Sequence, residues 1–421
     1  MNIYIKKMGC KVNEYEASSL MTSLKEYGHI EVATPEEADI AIVVTCAVTN
    51  EAEAKSRQMV GSITSKNPNI KIIICGCSSQ NNPLQYERKE NVVAVFGMNK
   101  LDIVSFVQNM QNECQFEPKC YISETYEDYT NPQMDKTRHF VKIQDGCNNF
   151  CSYCLIPYVR GRSRSRKLNE VVEEIKQAQK ESKEVVLTGI NVSDYHTDRG
   201  ETFVDLIKAI QTIDIRLRIS SIECNVISRE LLAELQKCKN FCPHFHLPLQ
   251  SGANQTLKDM NRHYNTAQFL EKVNLIREYF PDCAVTTDVI VGFPTETDAD
   301  FEETLQTIKT ANFSDIHAFA YSERSGTAIS KLKKPLDSKV LKERKAKMLA
   351  LKKELHNAFL VAHIGKTASM LTENIKGNFL VGYTKEYIKV LLPKNSVECS
   401  QTVDVELIEI SGDAMLGKLI E

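Results

Sequence analysis

The chain has 421 residues, of which 42% are hydrophobic and 25% charged, a composition typical of a globular protein with about two to four domains. Its 52 basic and 55 acidic residues leave a net charge of −3, so a nucleic-acid interface would have to be local. The longest apolar runs are strand-sized and the amino terminus lacks a signal-peptide pattern, which argues against a secreted or membrane protein. We therefore expect a cytoplasmic protein without a membrane partner.

Strands and helices alternate over residues 1–110, which indicates an open, mostly parallel α/β sheet of the flavodoxin-like type. The expected strands are Ile3–Lys7, Asp39–Thr45, Asn69–Ile74 and Asn91–Phe96, and the expected helices are Glu14–Tyr27 and Glu51–Ser65. An acidic stretch at 111–136 that contains prolines is typical of a linker.

Longer βα units follow over residues 137–330. Strands are expected at 139–144, 184–190, 215–222, 244–249, 284–291 and 315–321. Six such units predict a partial (β/α)₆ barrel with its chemistry at the carboxyl ends of the strands. Residues 331–362 read as a basic linker helix. Short β segments separated by turn residues over 363–421 predict a small closed β-barrel.

Cysteine is unusually frequent, with fourteen residues, and without an export signal this indicates metal or redox chemistry. The strongest pattern is C-x₃-C-x₂-C at Cys147, Cys151 and Cys154, directly after a predicted strand. Iron–sulfur clusters usually take four cysteines, so three would leave one iron able to bind a small molecule. Zinc with a distant fourth ligand and buried unligated thiols are the alternatives. Zinc sites usually show a second ligand pair, which is not evident here.

A second, dispersed set of cysteines lies just past three predicted parallel strands, at Cys10, Cys46 and Cys77. The carboxyl ends of parallel strands line one crevice, so these three thiols could converge. Buried cysteines at strand ends are nevertheless most often small core residues. Cys75 and Cys77 share a strand face, so spacing alone does not choose between them.

These motifs carry a family resemblance. The C-x₃-C-x₂-C loop at the end of the first of six βα units resembles the radical S-adenosylmethionine (SAM) superfamily, and the whole chain resembles its methylthiotransferases. The Gly76-Cys77 context resembles the family pattern and selects Cys77 over Cys75. The carboxyl-terminal segment resembles a TRAM domain, an RNA-binding barrel. Further matching stretches are Leu187–Asn191, His246–Gly252, Thr287–Pro294 and Ala320–Thr327.

The resemblance implies two [4Fe–4S] clusters and SAM as cofactors. Cys147, Cys151 and Cys154 would hold the cluster that cleaves SAM to a 5′-deoxyadenosyl radical. Cys10, Cys46 and Cys77 would hold an auxiliary cluster that presents sulfur, methylated by another SAM, for transfer to the substrate. An electron donor such as flavodoxin or ferredoxin is implied as a partner, and the sulfur source stays open.

The resemblance also implies SAM contacts, although each of these positions equally fits an ordinary turn or strand end. Tyr153 matches the hydrophobic position beside the adenine. A carboxylate at Glu223 would accept from the ribose hydroxyls, and Gly292 would let the backbone approach the adenosine. His246 is expected to be a hydrogen-bonded core residue rather than a ligand. The full strand-end set is Thr188, Gly189, Asn191, Ser221, Glu223, Gln250, Val291, Gly292 and Phe293.

Four alternate arginines, Arg160, Arg162, Arg164 and Arg166, follow the cysteine loop. In an extended segment they would point one way, about 6.6 Å apart, and guanidinium groups suit bidentate phosphate binding. We expect them to contact RNA, the alternative being a solvated run of charge.

The segment Cys154–Arg166 most resembles the family members that add a methylthio group to C2 of N6-threonylcarbamoyladenosine at position 37 of tRNA. This implies the anticodon stem-loop as a partner. Isopentenyladenosine of tRNA and an aspartate of a ribosomal protein are the alternative substrates within the family. Outside it, the auxiliary cluster could serve only electron transfer, or the clusters could be structural in an RNA-binding module.

Overall fold

The structure is a computed structural model that describes residues 1–86, 91–110, 118–129, 131–133, 137–332 and 335–420. Contacts divide the chain into two compact units, each built from several stretches. The first unit comprises Met1–Gln133, Lys142–Arg166 and Ser322–Lys331, and the second comprises Met134–Val141, Lys167–Tyr321 and Leu332–Glu421. The five segments expected from the sequence stay a prediction. Residues 111–117, 130 and 134–136 of the expected linker lie outside the described residues.

A parallel sheet flanked by helices forms the amino-terminal part of the first unit. Its elements are β1 (Asn2–Lys7), α1 (Lys11–Glu26), β2 (Ile30–Glu31), β3 (Ile40–Thr45), α2 (Asn50–Lys66), β4 (Lys71–Gly76), α3 (Cys77–Asn81), β5 (Val92–Phe96), α4 (Asp102–Gln108) and β6 (Pro118–Lys119). The strand order is β2-β1-β3-β4-β5-β6. This is the flavodoxin-like order extended by one edge strand, so the predicted fold of this part is confirmed.

Both faces of this sheet are buried, as its apolar strand sequences require. Successive residues of a strand point to opposite faces, so Ile42 packs in the core beneath α1 and α4 while Val43 packs in the core beneath α2. The loops that follow β1, β3 and β4 therefore extend from strands that are packed on both faces.

The first unit also contains the segment that carries C-x₃-C-x₂-C. Its elements are β7 (Arg138–Asp145), which begins in the second unit, α5 (Ile156–Arg160) and β8 (Arg164–Ser165). The end of β7 pairs antiparallel with β8, Asp145 lying opposite Arg164. The cysteine loop and α5 thus form the connection of a short hairpin.

Alternating helices and strands make up most of the second unit. They are α6 (Leu168–Glu181), β9 (Glu184–Gly189), α7 (Phe203–Ile210), β10 (Arg216–Ile219), α8 (Arg229–Lys237), β11 (His244–His246), α9 (Asn254–Asp259), α10 (Thr266–Tyr279), β12 (Ala284–Val291), α11 (Asp298–Ala311) and β13 (Asp315–Ala320). Capping boxes at Thr202, Asn265 and Thr297 set the first residues of α7, α10 and α11.

The six predicted barrel strands are all present, but they form two sheets, β10-β9-β7-β8 and β11-β12-β13. Isolated parallel bridges join β10 to β11, at Leu217 with Phe241 and at Ser221 with His246. The strands therefore follow one another in chain order around an open, curved arrangement. The expected partial (β/α)₆ architecture is confirmed, with a seam in its middle.

A long helix, α12 (Ser338–Val361), follows. It begins later than the basic linker helix expected from Lys331, because Pro335 precedes it and the Asp337 side chain caps it by accepting from the Lys339 amide. Residues 333–334 of the expected helix lie outside the described residues. No helix in the described ranges is both long enough and apolar enough to cross a membrane.

The carboxyl-terminal segment forms a small barrel. Its strands are β14 (Thr367–Lys376), β15 (Phe379–Thr384), β16 (Lys389–Pro393), β17 (Thr402–Ser411) and β18 (Ala414–Leu419). They close in the order β14-β15-β16-β18-β17 around a core that includes Met370, Leu380 and Val405. The predicted small closed β-barrel is confirmed.

One buried carboxylate, Glu184, binds the arginines that connect this barrel to the strands of the second unit. Glu184 is fully buried at the start of β9 and accepts hydrogen bonds from Arg138 (Nε, 2.6 Å), Arg216 (Nε, 3.3 Å) and Arg218 (Nε, 3.0 Å). Burial alone would raise the pKa of Glu184, but the surrounding guanidinium groups hold it below its ordinary value. Arg218 also donates to the carbonyl oxygens of Thr384 (3.2 Å) and Lys385 (3.0 Å) in the carboxyl-terminal segment.

Glu184→Gln should therefore lower the free energy of unfolding by about 3–5 kcal/mol, because the buried guanidinium groups of Arg216 and Arg218 lose their counter-charge, whereas Arg138 keeps Glu373. Urea unfolding followed by circular dichroism measures the change. Glu230→Gln is the matched control, since Glu230 forms an exposed ion pair with Lys208 whose loss should leave the midpoint unchanged. Equal midpoints for the two variants would contradict the role given to Glu184.

Candidate active site

Three loops at the carboxyl edge of the six-stranded sheet carry the dispersed cysteines. Cys10 directly precedes α1, Cys46 directly follows β3, and Cys77 is the first residue of α3. Burial raises the pKa of the Cys46 thiol to about 11, with smaller contributions in the same direction from Cys77 and Cys10. The structure thus places these three thiols at the same edge of the sheet although 36 and 31 residues separate them in the chain.

Two glycines allow the loops to approach one another. Gly9 has φ +101°, and a Cβ there would lie 3.0 Å from both Cβ and Sγ of Cys46. Gly76 has φ +106°, and a Cβ there would lie 2.6 Å from the carbonyl oxygen of Thr45. A side chain at either position would be strained and would push the cysteine loops apart.

Asn13 fastens the same loops. Its Nδ2 donates to the carbonyl oxygens of Met8 (2.8 Å) and Thr45 (3.1 Å), one residue before Gly9 and one residue before Cys46. Sequence reasoning gave Asn13 no role, because an asparagine in the first turn of a helix is ordinary. Its burial, at 1% exposure, identifies it as part of the site.

The choice between Cys75 and Cys77 is also visible in the structure. Cys75 is enclosed in the apolar core beneath α1, where burial raises the pKa of its thiol to about 12. Cys77 instead accepts a hydrogen bond from Arg160, outside that core. Cys77, and not Cys75, therefore faces the loops of Cys10 and Cys46.

The other triad lies within a single loop. The backbone amide of Asn149 donates to Cys147 Sγ (3.5 Å) and that of Ile156 donates to Cys154 Sγ (3.4 Å). Gly146 has φ +70°, and a Cβ there would lie 2.0 Å from the carbonyl oxygen of Arg162, so only glycine fits before Cys147. Amide hydrogen bonds to sulfur favour thiolates and tune the potential of iron–sulfur clusters.

The chemistry of the donor sets fits iron–sulfur clusters. Within the described ranges, no three metal-binding side chains are grouped around a common ion. Thiolate is the ligand that iron–sulfur clusters use, and each triad supplies three.

The arginines that follow the loop depart from expectation. The predicted contact of Arg160 with RNA is wrong, because Arg160 ends α5 and is fully buried. Its Nε donates to Cys77 Sγ (3.3 Å), one terminal nitrogen donates to Glu16 and Asp145 (2.9 Å each), and the other donates to Asn13 (2.7 Å). A helical turn, rather than an extended strand, directs this side chain towards the auxiliary thiols.

The remaining three arginines do not form a row either. Arg166 is buried and donates to Asn131 (3.0 Å), and Arg164 donates to the carbonyl oxygens of residues 160 (2.6 Å) and 162 (3.1 Å). Arg162 is exposed, with its guanidinium 4.3 Å from the ring centroid of Phe150 in the cysteine loop. The expected one-sided array is therefore wrong, and contact of Arg162 or Arg164 with RNA stays a prediction.

A buried ion network surrounds Arg160. Glu16 is fully buried and accepts from Lys100 (2.5 Å), Lys142 (2.6 Å) and Arg160 (2.9 Å), while Lys142 also donates to Asp145 (2.8 Å). Burial would raise the pKa values of both carboxyl groups, but the neighbouring cations hold them below their ordinary range. Both carboxylates are therefore ionised at neutral pH.

Glu16, Lys100 and Lys142 were not predicted from the sequence to belong to the site. Their only sequence signal is a charge inside an apolar pattern, as for Lys142 between Val141 and Ile143. Lys100 and Lys142 lie 84 and 126 residues from Glu16 in the chain, so the sequence pattern does not reveal that they pair with it.

The predicted SAM-contacting residues of the second unit gather at the carboxyl ends of β9, β10, β11 and β12. Gln250 has φ +65°, a left-handed conformation that costs free energy for a residue other than glycine. Val291 and Phe293 are fully buried, backbone as well as side chain. Tyr153 lies in the first unit, half-buried in the cysteine loop. Roles of these residues towards SAM stay predictions.

Two of these positions have partners that the sequence did not reveal. Glu223 accepts a hydrogen bond from Arg262; burial raises the pKa of this carboxyl group, and Arg262 opposes the rise. A Cβ on Gly292 would lie 2.5 Å from Cδ1 of Leu341, so the packing of α12 already requires glycine there. The adenosine is thus not needed to explain Gly292.

His246 is hydrogen-bonded within the second unit, as expected. Its Nδ1 lies 2.9 Å from Thr286 Oγ1, and its Nε2 lies 3.3 Å from Asp288 Oδ2. These side chains come from the neighbouring strands β11 and β12, which pair in parallel.

Comparison with known proteins identifies the family. A model described as the radical SAM superfamily matches residues 141–308, and one described as uncharacterized protein family UPF0004 matches residues 2–97. The threonylcarbamoyladenosine tRNA methylthiotransferase MtaB of Bacillus subtilis is 34% identical over 419 residues, covering 96% of this chain and 92% of that protein. This chain belongs to the radical SAM methylthiotransferase family. It is a transferase of that family, whose chemistry implies SAM and a [4Fe–4S] cluster.

Other relatives of this methylthiotransferase carry a different name. A tRNA-2-methylthio-N(6)-dimethylallyladenosine synthase of Thermodesulfovibrio yellowstonii is also 34% identical, over 437 residues, covering 99% of this chain and 98% of that protein. Among solved structures, the radical SAM methyltransferase TsrM from Kitasatospora setae has a TM-score of 0.57 at 12% identity, covering 78% of this chain and 73% of that chain. At that identity, the similarity supports the fold alone.

The same substitution at two glycines of this methylthiotransferase should have opposite effects. Gly76→Ala should lower the free energy of unfolding by about 2 kcal/mol or more, because it combines a positive φ with a backbone clash. Gly61→Ala should raise it by about 0.5–1 kcal/mol, since Gly61 lies in α2 with no atom within 4 Å of the added Cβ. Thermal unfolding of the cluster-free protein measures both, and a stable Gly76→Ala variant would contradict the close approach of the loops.

Proposed function

We propose that this protein adds a methylthio group to C2 of N6-threonylcarbamoyladenosine at position 37 of tRNA. The observation that carries the proposal is the presence of two cysteine triads in one compact unit, physically connected through Arg160. A single triad would suffice for radical SAM chemistry, so the second triad needs its own function. Transfer of a sulfur-containing group supplies one.

The two triads take different roles. Cys147, Cys151 and Cys154 would hold a [4Fe–4S] cluster, and Cys10, Cys46 and Cys77 would hold an auxiliary one. A cluster with three protein thiolates would leave one iron for an outside ligand, SAM for the first cluster and sulfur for the second. The surrounding chain keeps both loops rigid: Gly9, Gly76 and Asn13 hold the auxiliary loops together, and backbone amides hold the sulfurs of Cys147 and Cys154.

SAM would be bound by the strand-end residues of the second unit. Thr188 lies at the end of β9 and Asn191 just beyond it, both buried, and Gln250, with its left-handed backbone, follows β11. Arg262 keeps the Glu223 carboxylate fixed in position, which suits a group that accepts hydrogen bonds from ribose hydroxyls.

Overall identity does not choose the substrate, because relatives with either name are 34% identical to this chain. The segment Cys154–Arg166 favours threonylcarbamoyladenosine, by its resemblance to those members. That nucleoside carries a carboxylate, and the exposed guanidinium of Arg162 lies over the Phe150 ring of the cysteine loop. A charged partner of this kind is unnecessary for isopentenyladenosine, whose side chain is apolar.

The proposal includes two macromolecular partners. The closed barrel formed by β14–β18 would dock the anticodon stem-loop of tRNA, as its TRAM-like sequence indicates. A flavodoxin or ferredoxin would supply electrons, because reductive cleavage of SAM consumes one electron at each event.

An assay with defined tRNA tests the substrate. Anaerobically reconstituted protein is incubated with SAM, a reductant and tRNA that carries threonylcarbamoyladenosine, and the digested nucleosides are analysed by mass spectrometry. We expect a methylthio mass gain on that nucleoside and none on isopentenyladenosine in matched tRNA. A gain on isopentenyladenosine alone would overturn the substrate assignment. Formation of 5′-deoxyadenosine with both tRNAs unchanged would direct the test to the ribosomal protein.

A pair of cysteine variants tests the division of roles. Cys77→Ala should abolish methylthio transfer but leave SAM cleavage to 5′-deoxyadenosine detectable, because the triad at 147–154 is intact. Cys75→Ala is the matched control: it removes a thiol two residues away that faces the apolar core, and it should retain both activities. Loss of SAM cleavage in folded Cys77→Ala protein would contradict separate roles for the two triads.

A further inference from the structure

The buried ion network has more positive than negative charge. Its fully enclosed part contains three cations, Lys100, Lys142 and Arg160, and two carboxylates, Glu16 and Asp145. Each group has at most 6% of its side chain exposed. Around this part, Arg164 adds a cation beside Asp145, and the partly buried Glu127 carboxylate acts electrostatically on both lysines, so four cations face three carboxylates. Excess charge in such surroundings is costly, so a further anion nearby would be stabilised.

Arg160 indicates where that anion lies. Both of its terminal nitrogens face Glu16, Asp145 or Asn13, whereas its Nε donates to Cys77 Sγ at 3.3 Å. The two lysines direct their ammonium groups at the carboxylates. Among the described side chains of the network, Arg160 is thus the cation that contacts an auxiliary cysteine.

An auxiliary cluster would supply the missing charge. An oxidised [4Fe–4S] core of charge +2 with three thiolates has a net charge of −1, equal and opposite to the excess of the network. Reduction by one electron makes the cluster more negative, so a cation in contact with one of its sulfurs stabilises the reduced form more than the oxidised form. Hydrogen bonds to cluster sulfurs raise the reduction potential in the same direction.

We propose that Arg160 is a positioning residue that raises the reduction potential of the auxiliary cluster by placing its buried charge on Cys77 Sγ. This inference rests on the proposed function, since it requires a cluster on Cys10, Cys46 and Cys77. Arg160 is six residues beyond Cys154, on the helix that follows the SAM-cleaving loop. The same side chain therefore anchors that loop's helix and sets the electrostatics of the auxiliary site.

The reduction potential of the auxiliary cluster tests the inference without an activity assay. The full chain with Cys147, Cys151 and Cys154 replaced by alanine serves as the parent, so that only the auxiliary cluster is present. Redox titration monitored by electron paramagnetic resonance compares the parent with Arg160→Gln, Arg160→Lys and Arg166→Gln. Arg166 is the matched control, a buried arginine of the same segment that donates to Asn131 and the Tyr15 hydroxyl group.

We expect Arg160→Gln to make reduction at least tenfold less favourable, a downward shift of about 59 mV or more for a one-electron couple. Arg160→Lys retains the charge but not the Nε geometry, so its potential should lie between those of Arg160→Gln and the parent. Arg166→Gln should leave the potential unchanged. If Arg160→Gln does not fold, a lowered potential in Arg160→Lys supports the proposal and an unchanged one overturns it.

Two failures can be told apart. A cluster that forms in the parent and keeps its potential in Arg160→Gln overturns the role of Arg160 and leaves the proposed function standing. An equal fall in Arg166→Gln also overturns it, because general loss of buried charge would then explain the shift. Absence of any iron–sulfur cluster from the folded parent contradicts the auxiliary site itself, and with it the proposed function.

Discussion

The ionised carboxylate of Glu16, enclosed by Lys100, Lys142 and Arg160, is the interaction on which the first unit depends. It joins residues that lie far apart in the chain: helix α1, the segment after β5, strand β7 and the helix after the cysteine loop. Burying five charges is unfavourable unless every one is paired, so the network has essentially one arrangement. That requirement fixes the loop at 147–154 against the loops of Cys10 and Cys77 more firmly than apolar packing, which tolerates small displacements, would achieve.

Much of the architecture could be predicted because it follows from periodicity. The strand predicted at 284–291 has the same first and last residues in the structure. The alternation of strands and helices predicts both the parallel sheet and the partial barrel. The start of α12 was placed too early, since a run of lysines resembles a helix until the effects of Pro335 and the Asp337 cap are weighed. The seam between β10 and β11 had no sequence signal, because strand propensity does not report hydrogen-bond partners.

The candidate site was predictable where its chemistry is local and unpredictable where it depends on long-range pairing. A C-x₃-C-x₂-C loop is read directly, and the choice of Cys77 over Cys75 came from a family context that the packing of Cys75 in the core supports. The arginine segment misled because alternation implied an extended strand, whereas Gly161, with φ +79°, ends a helical turn there. Glu16, Asn13 and Arg262 were missed, since a buried polar side chain reveals its role only through its partner.

The attachment of the carboxyl-terminal barrel has a further consequence. Arg218 contacts it through the backbone carbonyl oxygens of Thr384 and Lys385, and Arg216 donates to the carbonyl oxygen of Tyr383. Every amino acid presents the same carbonyl group, so these contacts impose almost no restriction on side-chain identity in the barrel. The outer surface of the barrel is therefore free to diverge in sequence while its attachment to the strands of the second unit persists.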